Sequence, residues 1–509
     1  MSAQTLTLER TASPVSRSAD DKATKDSNSF AQTPALSRVS TTPAPAAAIA
    51  DPELLLPPKA SLGVILINNL LQQISFFIIV SSSNEYAKEL GGTSTFSGVV
   101  IGIPTVISGI TLLPLMRYDG GGYKLPLHLS CGASIVGHIL YALAYPTRQL
   151  YLILAGRMVS GVAFSMFMYH KRYCADPRIV GIRRRTTLAS LLVLGQALGM
   201  TLGPLFGGLL FKVGFGNKWF NGLTSPGWVM AGIWAVYWVF TKLLFEDPPP
   251  VQPQPSSTEL TPIAVTAGDT STHLSSLYHR THPSQPEGLV SEAAIEEQAP
   301  VATPSDERMS LARWLVAALM CWSAMTCFFV LGAWEANIPV FTSSALPDVS
   351  LAFSPTGAGN FMAIGGAIAT PLLLANAFLA RRMQDRHILL TGFCIGAVGL
   401  VIFTSLLGSN IKIGYAPLLV CWTAVALGFN VASTVSMSLM SKTLPPGLNG
   451  RTSLAVQYSN YCGRVCGAVW GGSGVAVGML GYIGLELGIV GVLGVGSCAL
   501  WRDMKAKTG

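Results

Sequence analysis

TLASLLVLGQALGMTLGPLFGGLL, residues 187–210, is apolar over a length that can cross a bilayer, yet it contains five glycines and a proline. Glycine and proline are the least favourable helix residues in water. Between membrane helices they are tolerated, because small residues let a neighbouring helix approach closely. Gly199, Gly203 and Gly207 fall four apart and share one helix face, and Pro204 bends the helix. The stretch therefore predicts a tightly packed membrane helix, with ordinary small-residue packing as the alternative for any single glycine pair.

The composition indicates a membrane protein. The 509 residues have a mean hydropathy of +0.48 and only 11% charged residues, where soluble domains have about 25%. The net charge of +8 comes from short basic clusters between apolar runs and not from one basic face, so no nucleic-acid partner is expected. No phosphate-binding loop and no metal-ligand spacing is visible, so we expect neither an enzyme nor a cofactor or metal.

Apolar runs of about 20 residues are long enough to cross the hydrocarbon core. They predict an all-α protein with twelve membrane spans, near 61–81, 96–116, 125–145, 149–170, 188–211, 226–245, 314–341, 357–379, 387–407, 413–439, 452–476 and 479–501.

The spans divide the chain into two six-helix bundles, 59–246 and 311–501. Before, between and after them lie a tail (1–58), a linker (247–310) and a short end (502–509). The tail and linker are rich in Pro, Ser and Thr and bury too little apolar surface to fold alone, so we expect them to be disordered. Lysine and arginine concentrate in the loops that share a side with the tail. By the positive-inside rule both termini are then cytoplasmic.

The two halves resemble each other. RTTLA at 185–189 recurs as RTSLA at 451–455. Such repeats predict pseudo-symmetric bundles around a central site. The glycines that follow recur with the same spacing: Gly199, Gly203, Gly207 and Gly208 correspond to Gly463, Gly467, Gly471 and Gly472.

Three strings resemble motifs of the major facilitator superfamily. GMTLGPLFGG at 199–208 looks like its fifth-span antiporter motif, and GRMVSG at 156–161 is similar to its fourth-span motif. RYDGGGYK at 117–124 resembles a degraded form of its cytoplasmic loop signature. The resemblance implies twelve helices in two bundles that transport a solute by alternating access. It also implies cytoplasmic gating loops that contain Asp119 and Lys124 in the first half and Asp385 and Arg386 in the second.

Other stretches resemble one branch of that superfamily. KRYCADPRIVGIRRRTTLAS at 171–190, WEANIP at 334–339 and GRVCGAVW at 463–470 are similar to the lysosomal and vacuolar branch. That branch includes the ceroid-lipofuscinosis facilitator and the SPX-type vacuolar proteins. This resemblance adds a vacuolar membrane to the plasma membrane as a possible location.

Ionisable groups inside membrane spans are costly, so each is a functional candidate. Arg157 lies two turns into span four, where the alternative is a structural contact with carbonyl groups. Glu335 lies late in span seven, and because desolvation favours the neutral form of a carboxyl it could carry a proton; an interfacial carboxylate is the alternative. Arg464, in span eleven, needs an acidic partner, carbonyls or an anionic ligand. Glu486 is expected at the interface near the end of span twelve.

Span one contains a polar patch that includes Asn69 and Gln73, which share a helix face. These amides could bind solute or join helices. We expect a cavity lined by spans one, four, seven and ten, with Arg157 and Glu335 facing it and Arg464 close by.

The function expected from these features is proton-coupled antiport, or efflux, of a small organic solute such as a secondary metabolite. A vacuolar or lysosomal transporter of ions or small metabolites is the alternative. A non-transporting membrane sensor or scaffold is the alternative of another class. The expected partners are the solute, protons and the lipid bilayer, and a monomer is the default.

Overall fold

The computed structural model of the protein describes residues 52–213, 216–249, 310–344, 346, 351–379, 383–409, 412–444 and 449–505. Within these ranges the chain forms fourteen α-helices and a short 3₁₀ helix, Pro52–Leu54, and contains no β-strand. The expected tail before residue 52 and the linker from 250 to 309 lie outside the described residues.

The first half contains eight helices. They are α1 (Lys59–Phe77), α2 (Ser83–Glu89), α3 (Ser94–Tyr118), α4 (Lys124–Thr147), α5 (Leu150–Phe164), α6 (Met166–Ala175), α7 (Ile182–Val213) and α8 (Ser225–Leu244). The second half contains six: α9 (Leu311–Thr342), α10 (Pro355–Leu379), α11 (Asp385–Gly408), α12 (Tyr415–Thr443), α13 (Asn449–Val477) and α14 (Met479–Ala499).

The twelve predicted spans correspond to these helices once α5 and α6 are counted as one span and the short α2 is left out. Among the described residues, eleven spans are long and apolar enough to cross a membrane. The remaining one, α13, has 29 residues and is long enough, but it is less apolar. Its polar side chains include Gln457, Asn460 and Arg464, which line a cavity between the two halves.

Span four is interrupted, although the sequence predicted one helix over 149–170. The helix α5 ends at Phe164 and α6 begins at Met166. At the break, the Ser165 hydroxyl donates a hydrogen bond to the Val162 carbonyl at 2.8 Å. Serine bonds of this kind compete with helical hydrogen bonds and often accompany a bend. The second segment continues to Ala175, one turn beyond the predicted end of the span.

The two halves share one packing scheme. In the first half α1 packs on α7, α4 on α5 and α8, and α3 on α5. In the second half the corresponding pairs are α9 with α13, α11 with α12 and α14, and α10 with α12. The halves meet where α7 packs on α10 and α13 packs on α3. The order of neighbours is thus the same in both halves, as the repeated sequence predicted.

Glycines permit the closest contacts within each half. A methyl group placed on Gly203 would overlap Phe77 of α1, and one placed on Gly207 would overlap the carbonyl of Ile78. The second half repeats this arrangement on α9. There Gly463, Gly467 and Gly471 lie against the carbonyls of Met325, Phe329 and Ala333.

The second glycine of each Gly-Gly pair contacts the opposite half. Gly208 of α7 packs on Thr356 of α10, whose hydroxyl donates to the Gly208 carbonyl at 2.8 Å. Gly472 of α13 packs on Gly98 of α3. One dipeptide on each helix therefore joins both the partner helix of its own half and the helix across the interface.

We expect Gly467→Val to destabilise the protein, because any side chain there must separate α13 from α9. Overpacking of this kind costs about 1–3 kcal/mol. The melting temperature of purified protein in detergent should fall. Gly488→Val is the control, since a Cβ at Gly488 meets nothing within 4 Å. Equal melting temperatures for the two variants would contradict the close packing.

Candidate functional site

A cavity of about 120 Å³ lies between the halves. This is near the size of a cavity that holds one benzene molecule, about 150 Å³. Its wall combines aromatic rings, amides and two basic side chains: Gln73, Phe76, Thr105, Phe164, Phe167, Lys171, Gln196, Phe328, Gln457, Asn460, Tyr461 and Arg464.

The set of spans that line the cavity differs from the expectation at span ten. Spans one, four and seven contribute through α1, α5–α6 and α9, as expected. Span ten, which is α12, contributes no lining residue among those described, whereas α3, α7 and α13 do. The reason is the glycine packing, which draws α7 and α13 to the interface and leaves α12 packed against α11, α9 and α10.

Arg464, which lines the cavity, forms an ion pair with Glu335. Glu335 itself is not a lining residue, although the sequence analysis expected it to face the cavity. The Arg464 Nη2 donates to Glu335 Oε2 at 2.5 Å. Glu335 is 1% exposed, and its other carboxylate oxygen has no hydrogen-bond partner among the described residues. In a low-dielectric interior, removing one member of such a pair leaves an uncompensated charge, at a cost of about 3–5 kcal/mol.

The Arg464 guanidinium also bridges the halves through aromatic rings. Its Cζ lies 4.6 Å from the ring centre of Phe76 and 5.3 Å from that of Phe77, both on α1. A third ring, that of Phe328 on α9, lies at 5.9 Å. Cation–π contacts of this kind are strongest where water is excluded. The ion pair lies within the second half, but the cation it holds contacts the first half.

Lys171 is a cavity residue that the sequence analysis missed. It lies on α6 and donates from Nζ to Gln457 Oε1 of α13 at 3.2 Å, across the two halves. None of the described carboxylates forms an ion pair with it. The sequence placed this lysine in a loop because it follows the predicted end of span four. The extra turn of α6 is what brings it to the cavity.

Arg157 is buried beside the cavity and does not line it. Its Nε donates to the Val100 carbonyl at 3.2 Å and its Nη1 to the Ser75 carbonyl at 3.4 Å. Its Cζ lies 5.5 Å from the Phe76 ring and 5.9 Å from the Phe164 ring, and both rings line the cavity. The structure thus places Arg157 behind the aromatic wall, held by carbonyl groups.

The two amides singled out in span one have different surroundings. Gln73 lines the cavity. Asn69 is fully buried, and its Nδ2 donates to the Leu192 carbonyl of α7 at 2.9 Å. Asn69 therefore joins α1 to α7, whereas Gln73 is available to a solute.

Glu486 is buried and not interfacial as expected. It is 0% exposed on α14, and its Oε2 accepts a hydrogen bond from Trp334 Nε1 at 2.9 Å. Trp334 is the sequence neighbour of Glu335. The packing of α14 on α9 and α13 covers this carboxyl, and the sequence of α14 alone gave no sign of that contact.

The predicted gating residues form clamps at one end of the molecule. Asp119 pairs with Arg172 at the end of α6, at 2.6 Å, and accepts from the Tyr169 hydroxyl at 2.8 Å. In the second half, Asp385 pairs with Lys442 at the end of α12, at 2.8 Å. The two carboxylates therefore hold corresponding helix ends in the two halves.

The other two predicted gating residues are arranged differently. Arg386 donates to the Trp501 carbonyl at 3.2 Å and lies over the Trp501 ring, so it does not pair with its neighbour Asp385. At Lys124 it is the backbone N–H that bonds, to the carboxylate of Asp247 at 3.3 Å. Asp247 also accepts from the Tyr123 N–H at 2.8 Å, and it thereby ties the segment after α8 to the start of α4.

A larger groove, about 990 Å³, lies between α1 and α8. Its wall is almost wholly apolar and includes Ile67, Ile233, Val236 and Phe240, which are exposed or partly exposed. Such a surface suits lipid chains. Lys59 is the one charged residue among the described residues that line the groove, whereas the cavity between the halves is lined by Lys171 and Arg464.

The comparisons with known proteins agree with this architecture. The profile of the Major Facilitator Superfamily matches residues 65–468. The chain belongs to the Major Facilitator Superfamily. This is a family of transporters, so the protein is an integral multi-pass transporter and not an enzyme.

Relatives of this facilitator occur in fungi and plants. An uncharacterized MFS-type transporter of Schizosaccharomyces pombe is 31% identical and covers 90% of this chain and 85% of its own. An SPX domain-containing membrane protein of Arabidopsis thaliana is 26% identical over 77% of this chain and 56% of its own. Among solved structures, a POT family transporter in complex with 5-aminolevulinic acid superposes with a TM-score of 0.63. It shares 10% identity and covers 87% of this facilitator and 99% of its own chain, which shows the common fold.

One charged cluster outside the spans yields a pH prediction. Burial raises the pKa of Asp176, but hydrogen bonds from Arg178 (2.6 Å) and the Tyr123 hydroxyl (2.8 Å) outweigh it, so the pKa lies below its ordinary value. A lowered folded-state pKa stabilises the protein above the unfolded value of about 3.9, and this stabilisation is lost as the pH falls through the folded value. We expect Asp176→Asn to lower the melting temperature at pH 7, with the difference shrinking below about pH 4.

The control for this prediction is Glu89→Gln. Glu89 forms an ion pair with Arg148 in which the side chains are 47% and 61% exposed, and exposed pairs contribute about 0–1 kcal/mol. The melting temperature of Glu89→Gln should stay close to that of the wild type across the same pH range. A pH-independent effect of Asp176→Asn would contradict an ionic role for Asp176.

Proposed function

We propose that this protein is a proton-coupled secondary transporter that moves a small organic solute through the cavity between its halves by alternating access. The observation that carries the proposal is the ion pair between the buried Glu335 and Arg464, which lines the cavity. A carboxyl one hydrogen bond away from a cavity-lining arginine can take up a proton when the cavity holds water, and protonation removes the charge that holds Arg464.

Protonation of Glu335 acts on the contact between the halves. With Glu335 ionised, Arg464 is held against Phe76 and Phe77 of α1. Once Glu335 is neutral, Arg464 loses its counter-ion and must find water or solute instead, which weakens this contact. A ligand shifts a conformational equilibrium by its differential affinity for the two states, and here the proton is such a ligand.

The clamps at Asp119 and Asp385 fit a mechanism in which the two halves rotate against each other during alternating access. Asp119, just after α3, is tied to the end of span four, and Asp385, at the start of α11, is tied to the end of span ten. Each clamp lies within its own half. Each half can then move as a body while the contacts between the halves change. We place these clamps and both termini on the cytoplasmic side, because basic residues concentrate there.

The fifth-span motif that includes Pro204, with Gly199 and Gly203 packed on α1, favours exchange of the solute for protons. Exchange requires that solute and proton compete for binding, whereas co-transport requires that each favours the other. Because the charge of the solute determines whether a bound proton hinders or helps its binding, that charge decides between exchange and co-transport. We take the monomer as the transporting unit, since the cavity is complete within one chain.

The proposal has two versions, which differ in the solute and in the membrane that it crosses. One is efflux of an organic product, such as a secondary metabolite, across the plasma membrane. The other is transport of ions or small metabolites across a vacuolar membrane, supported by the similarity to SPX domain-containing membrane proteins. A sensor or scaffold without transport is not favoured, because the family is one of transporters.

We expect Glu335→Gln to abolish the dependence of transport on an imposed pH gradient while solute exchange at equal pH continues. Glutamine keeps the shape but cannot bind a proton. The measurement is solute flux in proteoliposomes with and without a pH gradient. Glu486→Gln is the control, since Glu486 is equally buried but bonds to Trp334, which does not line the cavity, whereas Glu335 pairs with the lining Arg464. A normal gradient response in Glu335→Gln would remove the proton role.

Localisation of the full-length protein with a fluorescent tag separates the two assignments. We expect a vacuolar rim, because the stretches 171–190, 334–339 and 463–470 resemble the lysosomal and vacuolar branch of the family. A rim at the plasma membrane would instead support efflux from the cell.

A further inference from the structure

We infer that the transported solute is an organic anion with an aromatic or other flat apolar body, and that Lys171 is the cation that receives its negative group. This inference rests on the proposed transport function and specifies its substrate class. It comes from the charge balance of the cavity wall and from the rings that surround it.

The cavity wall carries one positive charge in excess. Its two cations are Lys171 and Arg464, and the Glu335 carboxylate neutralises only Arg464. Lys171 has a neutral partner, the Gln457 side-chain carbonyl. An ammonium group between membrane helices is costly unless water or an anion reaches it. Lys171 is exposed and lines the cavity, so water or a solute in the cavity can reach it.

The geometry suits one solute that spans the cavity. Gln457, the partner of Lys171, and Arg464 are both on α13 and seven residues apart. At 1.5 Å per residue they are separated by about 10 Å along the helix. A single-ring molecule with an anionic group fits this distance. Its negative group would replace Gln457 as the partner of the Lys171 ammonium.

The wall between the two cations is aromatic and polar without charge. Phe164, Phe167 and Phe328 offer ring faces and edges against which a flat body can pack. The amides of Gln73 and Asn460 supply N–H donors and can turn to suit an acceptor. A wall of this composition binds a solute with an apolar body and one anionic end better than an inorganic ion.

An anionic solute also fixes the sign of the coupling. Arg464 of α13 is the charged group that faces Glu335, and Glu486 of α14 is engaged by Trp334. When Glu335 binds a proton, Arg464 is no longer neutralised and the cavity wall carries two positive charges in place of one, so the proton and an anion held at Lys171 favour each other's binding. Proton and solute then move in the same direction, and this departs from the exchange favoured by the fifth-span motif.

The test uses three ring compounds that differ in charge: benzenesulfonate, benzenesulfonamide and benzyltrimethylammonium. Their binding to the purified full-length protein in detergent is measured at pH 7 by the shift in melting temperature over a concentration series. No proton gradient is present. We expect benzenesulfonate to stabilise the protein most, and Lys171→Gln to weaken its apparent affinity about tenfold or more.

Two control variants accompany Lys171→Gln. Lys171→Arg keeps the positive charge and should keep the preference for benzenesulfonate. Lys242→Gln removes a positive charge from α8, where Lys242 lies over the Trp238 ring away from the cavity, and should bind like the wild type. Lack of any preference for the anion, or unchanged benzenesulfonate affinity in Lys171→Gln, would overturn the inference.

The two proposals can fail separately. If Glu335→Gln keeps its gradient response while benzenesulfonate binding still requires Lys171, the proton role fails and the anion assignment stands. If Lys171→Gln binds benzenesulfonate normally while Glu335→Gln loses the gradient response, the anion assignment fails and the proton role stands.

Discussion

Backbone-to-backbone contact at glycine is the constraint on which the arrangement of this transporter depends. Each of α7 and α13 packs on a helix of its own half and on a helix of the other half. Adjacent glycines serve the two contacts: Gly207 and Gly471 contact their own halves, while Gly208 and Gly472 contact the opposite ones. Because lipid tails are as apolar as the helices, van der Waals contact must supply the association.

The same contacts determine where polar groups can lie. The cavity lies beside these contacts, since α3, α7 and α13, which make them, also contribute residues to its wall. Arg464 lies on α13 three residues before Gly467, so the helix packed most closely within its half also carries the cation in the cavity wall. The helix α13 thus carries both the glycines that pack on α9 and the arginine that lines the cavity.

Three cationic side chains of the membrane spans are stabilised in three different ways. Arg464 has a carboxylate, Arg157 has carbonyl groups and aromatic rings, and Lys171 has a neutral amide and an open cavity. In the mechanism that we propose, a proton at Glu335 releases the first, whereas carbonyl groups fix the second in place. The third is the group that we infer to bind the negative group of the solute.

The sequence by itself determined the helical class, the number of spans, the repeat and the glycine faces, because apolar length and a spacing of four are local properties of the chain. It also singled out Glu335 and Arg464, since charge in an apolar run is visible without a structure. Only the tertiary structure decided that these two pair, that Arg157 lies behind the aromatic wall and that Lys171 enters the cavity. Those outcomes depend on where helices distant in sequence cross. They also depend on the continuation of span four as α6, to Ala175, after the break at Ser165. No local pattern in the sequence encodes them.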